Sequence, residues 1–151
     1  VRLGVDVGTV RVGVAACDPD GIMAFPVATV ARDAAAVATI AALAAERAVI
    51  EIFVGLPLHL SGEEGPSAVD ARLFAAQVEE RTGIPVRLVD ERMSTVSASR
   101  NMREAGRSAK SQRSSIDQAA AVVILDTALD AARRGNLGTV ALKVAREENH
   151  D

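Results

Sequence analysis

The chain has 151 residues, 49% hydrophobic and 25% charged, with one Cys, three Phe and no Trp or Tyr. Its length predicts a single domain, residues 1–151, that buries about two thirds of its unfolded surface without disulfide or metal staples. The longest apolar run, 119–125, is far short of the about 20 residues that cross a bilayer, and no leader pattern precedes the first apolar segment. A lone cysteine, Cys17, cannot close an intramolecular disulfide, which suits a reducing cytoplasm. Membrane spans, a disulfide scaffold and disorder are excluded.

The first thirty residues read as β structure. Leu3, Val5 and Val7 alternate with Gly4, Asp6 and Gly8, and Val10, Val12 and Val14 resume the pattern after a Gly-Thr corner. Asp18-Pro-Asp-Gly21 is a turn, since proline presets φ and glycine accepts a positive one. A third strand over about 22–30 completes an antiparallel meander. Asp33 then caps a helix with Val37, Ile40, Ala41 and Ala44 on one face. A short apolar strand, 49–54, runs into Gly55-Leu-Pro57. Ser67 with Asp70 forms a capping box for a helix that stops at Gly83. The strand 86–89 ends at Asp90-Glu91. Ser94 caps a helix reaching Met102 and stopping at Gly106, and Ser115 with Gln118 opens a last helix to about Arg134. The tail 135–151 carries no readable element. Strands separated by helices pair in parallel through right-handed crossovers. One mixed α/β sheet with helices on its faces follows.

Charge is uneven along the chain. Between 92 and 113, six basic residues (Arg92, Arg100, Arg103, Arg107, Lys110 and Arg113) stand against the single acid Glu104. That local +5 leaves −8 for the rest of a chain whose net charge is −3. Such a stretch is either a footprint for phosphate or a solvated helix face.

Three acidic positions are out of keeping with their surroundings: Asp6 in the apolar run 3–14, Asp90-Glu91 closing a strand, and Asp117 opening a nearly apolar helix. A buried carboxylate costs several kcal/mol unless it is paired, hydrogen-bonded or bound to metal. At helical spacing Asp117 shares a face with Ala121, Ile124 and Ala128, so it points over the sheet. Its place in a first turn would favour ionisation. Asp6 and Glu91 fall near the carboxyl ends of strands, where open α/β sheets bind ligands. With the strands ordered 1, 4, 5, they lie about 9–10 Å apart at the backbone. Hard oxygen donors without a His or Cys cluster select Mg²⁺ or Mn²⁺ over zinc. Two alternatives stay open: Asp6 bonding to Thr9 and nearby amides, and Asp90 taking the role of Glu91. Glu91 has the longer reach. The turns Gly8-Thr9, Gly55-Leu56-Pro57 and Ser94-Thr95 offer small residues and backbone donors to a phosphate, or are simply turns.

Several segments occur in one order: Val5-Asp-Val-Gly-Thr9 with Gly13-Val-Ala15, Val54-Gly-Leu-Pro-Leu58, Asp90-Glu-Arg-Met-Ser-Thr95, and Ile116-Asp-Gln-Ala-Ala-Ala121. Together they resemble the YqgF/RuvX family of RNase H-like nucleases, described as Holliday junction resolvases and as pre-16S rRNA nucleases. The resemblance spans about 3–130. It implies an RNase H-like mixed five-stranded sheet flanked by helices, with strands one to three antiparallel and strands one, four and five parallel. It also implies a catalytic, metal-holding set of Asp6, Glu91 and Asp117, loaded with Mg²⁺ or Mn²⁺. His59 departs from the Asn common after Gly-Leu-Pro-Leu in the family. Thr9, Arg11, His59, Arg92, Ser94, Thr95 and the basic residues 100–113 are then the expected substrate contacts. Few aromatics argue against base stacking, so backbone and shape contacts with RNA or DNA are expected. No heptad or apolar stripe announces a strong dimer, which suits a monomer or weak homodimer.

Two other classes compete. The motif Asp6-x-Gly-Thr also resembles the first phosphate loop of actin-like sugar kinases, which need a second domain. A non-catalytic RNA-binding assembly factor would use the basic stretch alone.

Overall fold

The computed structural model describes residues 1–93, 110–135 and 137–144. The helix expected over 94–102 lies outside the described residues. Strands β1 (Arg2–Val7), β2 (Arg11–Cys17) and β3 (Ala24–Ala31) form the antiparallel meander. Gly21 at φ 70° closes the turn between β2 and β3, its N–H donating to the Asp18 carbonyl at 3.0 Å. Helix α1 (Ala36–Glu46) leads to β4 (Glu51–Leu56), α2 (Pro66–Thr82) to β5 (Val86–Asp90), and a single 3₁₀ turn (Glu91–Met93) follows. Helix α3 (Lys110–Arg133), the short α4 (Leu137–Val140) and β6 (Ala141–Lys143) complete the described chain.

The sheet order is β3-β2-β1-β4-β5-β6. β1, β4 and β5 run parallel, as the crossover rule requires. The five expected strands are all present. A sixth, β6, adds antiparallel to β5, pairing Val89 with Ala141. This three-residue strand is too short for a periodic signal, and only its neighbour β5 defines it.

Alternation along β1, β4 and β5 sorts the core into two layers. Leu3, Val5, Val54, Leu56 and Leu88 meet Ile40 of α1 and Phe74 of α2 on one face. Phe53 and Val89 meet Ala121, Ile124, Leu125 and Ala128 of α3 on the other. Ile124 and Leu125 are fully buried, each contributing about 1.5–3 kcal/mol. Among the described residues no helix is long and apolar enough to cross a membrane.

Helix starts differ from the sequence reading. α2 begins with Gly65 as N-cap and Pro66 in its first turn, and no side chain caps it. Proline there loses nothing, since its missing N–H would be unpaired anyway. Asp70 pairs instead with Arg32. Asp33 accepts from the Ala35 N–H at 2.9 Å, closing a turn before α1, while Ala35 is the N-cap. α3 starts at Lys110, so Ser115 and Gln118 lie inside it. Gln118 donates to the Thr29 hydroxyl at 2.9 Å. At its C-terminus α2 ends as expected, with Gly83 at φ 72° and its N–H bonded to the Glu79 carbonyl.

Glycines set how closely α3 approaches the sheet. A Cβ at Gly4 would lie 2.6 Å from the Ala121 carbonyl oxygen and 2.7 Å from Leu125 Cβ. A Cβ at Gly13 would lie 2.2 Å from the Asp117 carbonyl oxygen. Neither helix backbone atom can yield without lifting α3. Gly4→Ala is therefore expected to cost about 1–3 kcal/mol through overpacking. A lower urea midpoint at unchanged slope would report it; an unchanged midpoint would show that α3 does not rest on β1.

Candidate active site

Among the described residues, three polar or charged side chains are buried: Asp6, Glu91 and Asp117, at 1%, 2% and 2% exposure. All three stand on the α3 side of the sheet. Asp6 is near the carboxyl end of β1, directly opposite Gly13 of β2. Gly13 in turn touches the Asp117 backbone, so the turn of α3 carrying Asp117 is seated beside Asp6. Glu91 follows the end of β5, and its Oε2 lies 2.5 Å from where a Cβ on Gly55 would be. The same Cβ would strike Ile124 Cδ1 at 2.5 Å, so Glu91 shares the α3 layer.

Strand alternation separates Asp90 from Glu91. Asp90 follows Val86 and Leu88 in phase, away from α3. Its carboxylate takes Nε and Nη2 of Arg92 at 3.0 and 2.7 Å. Burial raises the Asp90 pKa, but the hydrogen bonds from Arg92 outweigh it and hold the group below the ordinary aspartate range.

Asp117 lies on the buried face of α3 with Ala121, Ile124 and Ala128. It does not lie in a first turn. α3 begins seven residues earlier, so the helix N-terminus does not supply the charge compensation expected of it. Arg11, the first residue of β2, reaches across instead, and its Nε donates to Asp117 Oδ2 at 2.9 Å.

The remaining expected contacts surround this centre unevenly. Thr9 is exposed in the turn between β1 and β2. His59 is exposed in the loop after β4, its N–H bonded to the Glu63 carbonyl at 3.0 Å. Arg92 is tied to Asp90 and to the Leu60 carbonyl, which fastens that loop to the end of β5. Ser94, Thr95, Arg100, Arg103 and Arg107 lie outside the described residues. Lys110 and Arg113 open α3, with their side chains outside the described part.

One contributor carries no local signal in sequence. Arg32 donates Nη1 to the Gly8 carbonyl at 2.8 Å, while its backbone N–H reaches the Val10 carbonyl at 2.9 Å. Its guanidinium pairs bidentately with Asp70 at 2.8 and 3.0 Å and lies 4.8 Å over the Phe74 ring. Arg32 thus fixes the turn that follows Asp6 to helix α2. The partners are 24 and 38 residues apart, beyond any helical or strand period.

Among the described residues no three Asp, Glu, His or Cys side chains stand close enough to enclose an ion together. The chemistry of the donor set nevertheless fits a hard divalent ion: three buried carboxylates on one side of one sheet, one already neutralised by a cation.

A family model described as "RuvX: Holliday junction resolvase" matches residues 1–131. The chain belongs to the RuvX family. It is 54% identical over 140 residues to a protein of Kineococcus radiotolerans, covering 90% of this chain and 74% of that one. It is also 54% identical over 135 residues to one of Leifsonia xyli, covering 88% and 87%. Both carry the name "Putative pre-16S rRNA nuclease", which makes RuvX a nuclease family. Among solved structures, Thermus thermophilus RuvC with a Holliday junction substrate aligns at a TM-score of 0.56 and 18% identity, over 89% of this chain and 95% of that one. A second T. thermophilus RuvC structure aligns at 0.53 and 19%, over 94% and 98%. The shared architecture is the RNase H-like fold.

The Arg32–Asp70 pair gives a pH test of this RuvX frame. The Arg32 hydrogen bonds lower the Asp70 pKa, so the folded chain holds that proton less readily than the unfolded one. The pair stabilises at neutral pH and loses its contribution as pH falls through the ordinary aspartate range, about 3.9, and below. Asp70→Asn should cost about 0.5–1 kcal/mol at pH 7, given that Asp70 is partly exposed. The difference in urea midpoint from wild type should close as pH drops toward 3; a constant difference would contradict the ion pair.

Proposed function

We propose that this RuvX chain is a divalent-metal-dependent nuclease hydrolysing phosphodiester bonds, with Asp6, Glu91 and Asp117 holding Mg²⁺ or Mn²⁺. The observation that carries it is the burial of these three acids, and among the described residues no other polar side chain, on the α3 side of the sheet. Three buried carboxylates are a poor way to stabilise a fold, because each loses hydration and repels the others. A cation-binding role accounts for keeping them.

When bound, the ion would supply a Lewis acid beside the scissile phosphate. The chain supplies the rest. Asp6 and Glu91 present oxygen donors from the ends of two parallel strands, and α3 brings Asp117 to the same side. The turn at Gly8-Thr9, braced by Arg32 at the Gly8 carbonyl and closed by the Gly8 N–H on the Arg11 carbonyl, lies next to Asp6. The basic residues Arg100, Arg103, Arg107, Lys110 and Arg113 would hold flanking phosphates, so affinity should fall steeply with salt.

The substrate reading we favour is an RNA precursor in the cytoplasm, cut by a monomer or weak homodimer. It is supported by relatives named for pre-16S rRNA that share more than half their aligned residues with this chain. A four-way DNA junction is the second reading, favoured by the family description and by RuvC. Symmetric resolution would require two copies about a two-fold axis.

Purified protein would be incubated with Mn²⁺ or Mg²⁺ and, separately, single-stranded RNA, a 16S precursor fragment, single-stranded DNA and a four-way junction. Asp6→Asn, Glu91→Gln and Asp117→Asn should each reduce cleavage by about a hundredfold or more, with substrate binding retained. Cleavage unaffected by all three variants would overturn the site. Salt-sensitive RNA binding without cleavage would leave a non-catalytic assembly factor.

A further inference from the structure

The loops that leave the carboxyl ends of β1 and β4 each carry an exposed aliphatic side chain. Leu60 is 94% exposed, the highest of any large hydrophobic side chain among the described residues, and Val10 is 66% exposed. One such residue alone is ordinary on a protein surface. Two at the end of the sheet where open α/β folds bind ligands, both on hydrogen-bonded loops, are not. The loop after β4 closes on itself: the His59 N–H donates to the Glu63 carbonyl at 3.0 Å, and the Gly62 N–H to the His59 carbonyl at 2.8 Å. Gly62, at φ 93°, permits that reversal. Arg92 Nη1 donates to the Leu60 carbonyl at 3.2 Å, while Nε and Nη2 grip Asp90, the residue before Glu91. The turn after β1 is built likewise. The Gly8 N–H donates to the Arg11 carbonyl and the Arg32 N–H to the Val10 carbonyl, both at 2.9 Å. With the backbone held at these carbonyls, Leu60 and Val10 stay in water unless a ligand covers them.

We propose that Leu60 and Val10 are contacts for unpaired nucleobases, so that the protein prefers a single strand to a continuous duplex. The proposal rests on the reading of this chain as a nuclease that binds nucleic acid, and not on where its metal ion sits. β1 and β4 are adjacent and parallel, so both loops leave the sheet at one end, the end of Asp6 and Glu91. Val10 follows Thr9 and Leu60 follows His59, two of the expected substrate contacts. A nucleic-acid strand presents charged phosphates and apolar base faces. An aliphatic side chain has nothing to offer a phosphate, so the base is its partner. In a duplex the base faces are covered by stacking, and a leucine reaches them only by unstacking a step at a cost. In an unpaired strand they are open. Aliphatic contacts give less than aromatic rings would, so they bias the choice of strand while phosphate contacts supply most of the affinity.

The chain has no tryptophan, so Leu60→Trp places a single such fluorophore at the loop tip. With divalent ions chelated to prevent cleavage, a short single-stranded RNA should quench that fluorescence by stacking, and the same sequence in a duplex should leave it unchanged. Leu60→Ser and Val10→Ser should each weaken single-strand binding by about fivefold, the effect of losing one partly buried aliphatic contact. Duplex binding should stay as in wild type. The slope of log Kd against log salt should also be unchanged, which separates these residues from phosphate contacts. Both positions are exposed, so melting temperatures should match wild type. Leu60→Trp fluorescence indifferent to bound single strand, or serine variants that bind single strand as wild type does, would overturn the inference and leave the nuclease reading standing. Equal losses for single strand and duplex would overturn it too. Failure of wild type to bind either nucleic acid would overturn both readings.

Discussion

Helix α3 rests on the sheet at backbone distance, and the chemistry of the molecule depends on that contact. Gly4 of β1 and Gly13 of β2 leave no side chain between sheet and helix, and Gly55 of β4 leaves room for the Glu91 carboxylate and Ile124. With a Cβ at any of the three, something in this layer must shift. The same absence of side chains positions three acids. Gly13 lies opposite Asp6 on the neighbouring strand and beneath the Asp117 backbone, and Gly55 lies beneath Glu91. Alanines at 121 and 128 keep the helix flush along its length. Packing and site geometry are thus one constraint, and a substitution that loosens the first displaces the second.

Electrostatics works against that packing. Three carboxylates within one buried layer repel each other and have lost their water, so the fold gives up stability to keep them there, a common trade at functional sites. Part of the cost is offset by Arg11 at Asp117. Around the centre, ion pairs do a different job. Arg32 with Asp70, and Arg92 with Asp90, pin two loops that flank the acids to helix α2 and to the end of β5. The net negative charge of the chain lies outside the 92–113 stretch.

Much of this was legible in the sequence, for physical reasons that can be named. Period-two alternation located β1 and β2, short apolar runs located the buried strands β4 and β5, and the crossover rule made β1, β4 and β5 parallel. Helical spacing placed Asp117 on the buried face with Ala121, Ile124 and Ala128. Glu91 shares the α3 layer with Ile124, whereas Asp90 faces away, a difference set by strand alternation and left open by the sequence. Local helix signals failed where tertiary contacts outbid them. Asp70, read as part of a capping box, serves Arg32, and Gln118, read the same way, serves Thr29. The early start of α3 removes the helix-dipole argument for Asp117, and the Arg11 bond that takes its place spans 106 residues. No local pattern encodes a contact of that range. β6 escaped for the same reason, since three residues become a strand only beside β5. Family membership was carried by Gly-Leu-Pro and Asp-Glu-Arg-x-Ser-Thr taken together, whose spacing is more specific than either glycine-rich turn alone.

The divalent-ion site proposed at Asp6, Glu91 and Asp117 can be tested by locating the ion. Crystals grown with Mn²⁺ would locate the ion by its anomalous scattering. A strong peak is expected within coordination distance of carboxylate oxygens from Asp6 and at least one of Glu91 and Asp117. A peak elsewhere on the molecule, with these carboxylates unliganded at saturating Mn²⁺, would contradict it.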